Sequence, residues 1–336
     1  MDRKIKTVGL LGGGVIGAGW AARCRLNGLD VVLYDPDPET ENKTGEVIDN
    51  ARRAYAQISP SGLPTEGSIR VATSIGDAVE SADFVQESLP EREDLKRSVL
   101  AEACDSLKDH VIIGSSTSGL LPSRIQADLV NPERFVVGHP FNPVYLMPLV
   151  EVCGGSLTTE QTKQDAMAFY SSIGMRPLHV RKEIDGFIAD RLMEAVWREA
   201  LWMINDDVAT AEEIDDAMRF GPGLRWAFMG TFMTYRIAGG TGSTGGVGGM
   251  RHFMEQFGPT LKLPWSKLMD VPDLTDDLIE KIASQSDDQA GDISVRDLER
   301  LRDDCLIAIM QGLEAQNYGA GEVLGQYRQR LSKGDW

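Results

Sequence analysis

Two polar residues interrupt the apolar run GHPFNPVYLMPLVEVCGG: His139, one of only four histidines in the chain, and Glu151, twelve residues later. A carboxylate bonded to one imidazole nitrogen fixes the tautomer and stabilises the imidazolium, leaving the other nitrogen free as a base. Such a pair can take the proton of an alcohol while the carbon beneath gives up hydride. The same run also fits a buried strand whose polar groups are simply satisfied. Its surroundings favour chemistry. His139 closes the strand-like RFVVGH, and Pro140, Asn142 and Pro143 follow at once in a stiff loop. Glu151 sits on the next strand-like segment, PLVEVCGG, where a chain folding back would bring it beside the ring. His110, His179 and His252 have no such setting.

A hydride needs an acceptor, and the amino-terminal stretch TVGLLGGGVIGAGWAARCRLNGLDVVLYD offers a site for one. A strand-length apolar run leads into Gly12, Gly14 and Gly17 in G-x-G-x-x-G spacing, then a helix and a second strand ending at Asp35, 18 residues past Gly17. This is the context the motif requires. The glycines permit a tight turn, close approach of a pyrophosphate and close helix–strand packing, and the helix amino terminus offers unpaired N–H groups. Gly13, Val15 and Ile16 complete the predicted cradle. A carboxylate at Asp35 accepts from ribose hydroxyls and repels a 2′-phosphate, and the PDPE that follows supplies no arginine, so NAD is expected over NADP.

These residues require elements that hold them. Strands and helices alternate through ADFVQESLP, HVIIGSSTSGL and RFVVGHPFNP, predicting a Rossmann-type, doubly wound, mostly parallel sheet over residues 1–183. Ligands bind beyond the carboxyl ends of such strands, which draws attention to Glu87, Glu91, Ser116, Ser118 and His139, with Ser116 on the cofactor side. Residues 184–336 turn to long amphipathic helices, an all-α domain expected to carry substrate binding and dimerisation. IAGGTGSTGGVGGM, with no strand before it, reads as a surface loop or lid hinge.

Charge narrows the partners. The net charge of −17 argues against nucleic acid and anionic membranes, and the excess is steeper in residues 184–336, with 15 basic and 26 acidic residues. There is no leader, anchor or span-length apolar run, so a cytoplasmic protein is expected. The four cysteines lack metal-ligand spacing, and no metal is expected. Rings cluster in RFGPGLRWAFMGTFMTYRIAGG, including Trp226 and Phe228, with Trp197 upstream. Any single ring fits core packing equally well. Together with surplus carboxylates, the set suits a quaternary ammonium group held by cation–π contacts, and Arg225 could clamp a substrate carboxylate.

GLLGGGVIGAGW, SSTSGL, GHPFNPVYLMPLVEV and DGFIADRL together resemble the 3-hydroxyacyl-CoA dehydrogenase superfamily, over most of the chain up to about Phe253. The resemblance implies a catalytic set of Ser118, His139 and Glu151 with Asn142, and cofactor contacts from Glu91 and Lys96. One position departs: where the family has an asparagine orienting the substrate carbonyl, this chain has Asp190, which donates no hydrogen bond unless protonated. NPVYLMPLVEV, GFIADRL and GPGLRWAFMG are most similar to the carnitine 3-dehydrogenase subfamily, implying a homodimeric, NAD-dependent oxidation of a 3-hydroxy acid. Gulonate or short-chain 3-hydroxyacyl-CoA oxidation, or a non-catalytic crystallin-like protein, are the alternatives.

Overall fold

A computed structural model of the chain describes residues 5–59, 62–227, 230–238, 253, 275–278 and 295–333. It divides into two compact units, Met1–Asp190 with Arg300–Trp336, and Arg191–Glu299. The terminal helices thus belong with the sheet, whereas the sequence placed all of 184–336 in one helical domain. The reason is apolar: in helix Ala320–Lys333, Leu324, Tyr327 and Leu331 are buried in one cluster with Tyr55, Ile58 and Tyr145.

The first unit is built on an eight-stranded sheet. In chain order its strands are β1 (Thr7–Leu11), β2 (Asp30–Tyr34), β3 (Ile69–Val71), β4 (Phe84–Glu87), β5 (Ile112–Ser115), β6 (Phe135–Pro140), β7 (Leu149–Gly154) and β8 (Arg176–Val180). The spatial order is β3-β2-β1-β4-β5-β6-β7-β8. The first six strands run parallel, as alternating strand and helix segments dictate. β7 runs antiparallel to β6, because the connection 141–148 is too short for the crossover that parallel strands require. Helices α1 (Val15–Leu26), α2 (Thr40–Ile58), α3 (Ile75–Val79), α4 (Glu93–Cys104), α5 (Pro122–Ile125) and α6 (Glu160–Ser172) cover the faces. Buried clusters centred on Val85, Ile113 and Val137, and on Phe84, Val136 and Val152, lie on opposite sides of the sheet, as the pleat requires of neighbouring residues.

In the second unit, α7 (Ala189–Asn205, which begins at the end of the first), α8 (Ala211–Phe220), α9 (Pro222–Trp226) and α10 (Thr231–Ala238) follow. Thr210 and Glu213 form a reciprocal capping box at the start of α8. Helices α11 (Val295–Glu314) and α12 (Ala320–Lys333) end the chain. Most of IAGGTGSTGGVGGM, Phe228 and His252 lie outside the described residues.

Candidate active site

His139 and Glu151 are direct partners in the antiparallel register of β6 and β7. Facing positions on neighbouring strands put side chains on one face within reach of each other, and His139 Nδ1 lies 3.1 Å from Glu151 Oε2. The other carboxylate oxygen accepts from the backbone N–H groups of Ile188 and Ala189, both at 3.0 Å. Those donors open α7 and are aimed by a left-handed turn in which Gly186 and Phe187 both have positive φ, 70° and 46°. A buried phenylalanine in that region is strained backbone, of the kind that persists where surroundings enforce it. Glu151 is fully buried and His139 only 6% exposed. An ionised carboxylate only accepts, so Nδ1 carries the hydrogen of this pair and Nε2 is left with its lone pair. Asp190 Oδ2 lies 3.7 Å from that Nε2, beyond hydrogen-bond range yet inside the reach of a shared ligand.

The loop between the strands is braced from beneath. The Arg23 guanidinium, buried under α1, donates to the carbonyls of Val144 at 2.7 Å, Met147 at 3.0 Å and Ile173 at 2.9 Å. Tyr145 donates to Asp303 of α11 at 2.5 Å. Asn142, joined to Pro143 by a cis bond, stays exposed at the loop's head. Ser118 is exposed as well, on a turn organised by one acid: Glu91 Oε1 accepts from the Thr117 hydroxyl and, at 3.0 Å each, from the N–H groups of Ser118 and Gly119. Burial pushes the Glu91 carboxyl up, but the Thr117 hydroxyl, the Lys96 charge and the Gly119 N–H outweigh it and hold the group below its ordinary value.

Lys96, for which the resemblance implies a cofactor contact, is set inside the fold. It is 1% exposed, and its ammonium faces Glu87 at 2.7 Å, the Leu89 carbonyl at 2.9 Å and Glu91 at 3.4 Å. Those three partners match the three hydrogens of its ammonium. Ser116 is likewise committed, accepting from Trp20 at 3.0 Å and Gln86 at 2.8 Å. Sequence reading passed over Arg23, Trp20, Gln86 and Ser88. The one signal available was the polar QES ending the apolar strand in ADFVQESLP.

The glycine-rich turn fits a dinucleotide. Gly12 has φ +101°, and a Cβ there would meet the Ser88 carbonyl at 2.5 Å; one on Gly17 would lie 1.8 Å from the Gly12 carbonyl. At Gly14 a Cβ would meet nothing within 4 Å. That open position is the amino cap of α1, where no side chain caps the helix, and Gly14 and Val15 are exposed while Ile16 is half-buried. Helix donors without partners beside an open approach suit a pyrophosphate. Asp35 accepts from the N–H groups of Gly13 at 2.6 Å and Asp37 at 2.8 Å, which hold its carboxylate at the end of β2 where a ribose diol would lie.

In the helical unit Trp197 is 56% exposed and Trp226 44%, and Arg225 is exposed beside Trp226 on α9. Phe228 falls outside the described residues.

Family models agree with this geometry: one described as the 3-hydroxyacyl-CoA dehydrogenase NAD binding domain matches residues 7–184, and its C-terminal domain matches 186–276. An L-carnitine dehydrogenase of Mesorhizobium japonicum is 55% identical over 334 residues, covering 98% of this chain and 90% of that protein. An L-carnitine dehydrogenase/betainyl-CoA thioesterase of Ruegeria pomeroyi is 52% identical over 324 residues, 96% of this chain but 65% of that longer protein. Among solved structures, an NAD+-dependent 5-formyl-3-hydroxy-2-methylpyridine 4-carboxylic acid 5-dehydrogenase superposes with a TM-score of 0.76 at 26% identity, covering 93% of this chain and 99% of that one.

Proposed function

The chain belongs to the 3-hydroxyacyl-CoA dehydrogenase family, and from that premise we propose that it oxidises the 3-hydroxyl of L-carnitine to the ketone, with NAD as hydride acceptor. The observation that carries the substrate is likeness to L-carnitine dehydrogenases at half identity or better along nearly the whole length. His139 Nε2 takes the hydroxyl proton, and the resulting imidazolium is stabilised through Nδ1 by Glu151. Glu151 cannot swing away, because the first N–H groups of α7 hold its other oxygen. The Ser118 hydroxyl and the Asn142 amide support the substrate oxygen as its charge develops.

Asp190 gives the reading its chemistry. Carnitine carries its trimethylammonium on the carbon next to the reacting one. A hydroxyl seated on His139 Nε2 thus brings the cation to the carboxylate 3.7 Å from that nitrogen. An asparagine there would orient a carbonyl; an aspartate attracts a cation. Trp197, Trp226 and Arg225 remain substrate-binding candidates on side-chain chemistry alone, the rings for a quaternary ammonium group and the guanidinium for a carboxylate. The apolar surface of α7, with Leu192 and Met193 more than half exposed, is the face proposed for a homodimer, with light scattering as its check. Among the described residues no helix is long and apolar enough to cross a membrane, and a cytoplasmic setting is proposed. The test is the initial rate of NADH formation with L-carnitine, gulonate and 3-hydroxybutyryl-CoA. Carnitine is expected to win by orders of magnitude, and absence of turnover with it would refute the substrate.

A further inference from the structure

Ser116 follows β5, and its hydroxyl oxygen has three neighbours: Trp20 Nε1 at 3.0 Å, Gln86 Nε2 at 2.8 Å and Ser88 Oγ at 2.9 Å. An indole N–H can only donate. The Gln86 amide is oriented independently, because its Nε2 also donates to the Gly138 carbonyl at 3.3 Å while its Oε1 accepts from the Tyr170 hydroxyl at 2.7 Å. A hydroxyl accepts twice and donates once. With both acceptor positions of Ser116 filled, its hydrogen has one destination, Ser88 Oγ. Ser88 therefore accepts from within, and its own hydrogen must leave the network. Among the described residues its side chain has no other hydrogen-bond partner.

That hydrogen emerges at the place where a dinucleotide crosses the sheet. Ser88 directly follows β4 and is half-buried. Its carbonyl abuts Gly12, and a Cβ on Gly17 would lie 3.6 Å from its own. β1 and β4 are the adjacent strands at which the order β3-β2-β1-β4-β5-β6 reverses, and ligands of such sheets lie in the crevice opened by that reversal. Asp35, the ribose-side acid, stands at the end of β2 on one flank, and His139 stands on β6 on the other. Ser88 is on the His139 flank, so the half of the cofactor within its reach is the nicotinamide half.

We propose that the Ser88 hydroxyl is a hydrogen-bond donor dedicated to an oxygen of the nicotinamide half of NAD, with its direction imposed by Ser116, Trp20 and Gln86. The proposal rests on the family's use of NAD and not on the identity of the alcohol. NADH binding is measured by fluorescence titration, with AMP, which lacks the nicotinamide half, as a competing probe. Ser88→Ala should weaken NADH about three- to tenfold, the range for one neutral hydrogen bond, and leave AMP unchanged; Ser88→Thr, which keeps the hydroxyl, should restore NADH binding. Trp20→Phe should reproduce part of the loss, because Ser116 can then accept from Ser88 and draw its hydrogen inward. In the Ser88→Ala background Trp20→Phe should add no further loss. Equal NADH affinity in Ser88→Ala, equal loss of AMP, or additive effects of the two changes would each overturn the proposal. Wild-type protein that binds AMP but not NADH would instead overturn the cofactor assignment beneath it.

Discussion

The sheet edge and the helical unit hold their functional side chains in opposite ways. At the carboxyl ends of β4 to β6 and the amino end of the antiparallel β7 the site is over-determined: Glu151 has three hydrogen-bond contacts, Lys96 three partners and Ser116 three neighbours. In the helical unit, Trp197 and Trp226 lie largely in the open. Proton transfer demands groups fixed to within a fraction of an ångström before substrate arrives. Recognition of a greasy cation demands only apolar faces within reach. Mutations should therefore act on turnover in the first region and on affinity in the second.

The largest effect is expected at the base. His139→Ala should lower kcat by about 10²–10⁴-fold, the usual worth of a positioned general base, with NADH affinity by titration unchanged. A comparable loss from a tryptophan change would break the contrast between the regions. Next, Lys96→Met leaves the Glu87 carboxylate buried without its cation, a loss of about 3–5 kcal/mol that chemical denaturation would register. A stability near wild type would mean that water enters the pair. Asp190→Asn should reduce kcat/KM for L-carnitine by about tenfold or more, in line with a charge-assisted contact. It should leave the slower turnover of the neutral tert-butyl isostere little changed. Equal losses on both would assign Asp190 to His139 and not to the cation. Trp226→Ala should raise the KM for carnitine about two- to thirtyfold at constant kcat.

The smallest effect concerns pH. Glu91 is held below its ordinary value, so its contribution to stability is complete above that value and is lost as pH falls through the lower, folded one. Melting temperatures of wild type and Glu91→Gln should accordingly converge on acidification in that window and stay apart at neutral pH.

Much of this was legible in the residues. The spacing of Gly12, Gly14, Gly17 and Asp35 carries its own geometry, because a tight turn, a helix terminus and a strand end follow from the residue types. His139 and Glu151 were visible as polar exceptions in an apolar run. Hidden were the features set by partners distant in sequence. A reversed β7 depends on connection length, not on strand composition. Lys96 looks like any surface lysine on an amphipathic helix until β4 places Glu87 against it. Ser116 reads as a loop serine, and only the convergence of Trp20 and Gln86 shows that its oxygen is already occupied. The place of α11 and α12 depends on apolar faces that would match many surfaces equally well.

That last arrangement has a consequence during synthesis. Tyr55, Ile58 and Tyr145 are covered by residues of α11 and α12 such as Ile307, Leu324 and Tyr327. The bond from Tyr145 to Asp303 ties the catalytic loop to the same late segment. A nascent chain can therefore assemble its sheet early, yet until α11 and α12 leave the ribosome it keeps an apolar flank bare and its reactive loop, held by Arg23, lacks the bond to Asp303. A chain released before those helices are made would present that sticky flank to chaperones and proteases.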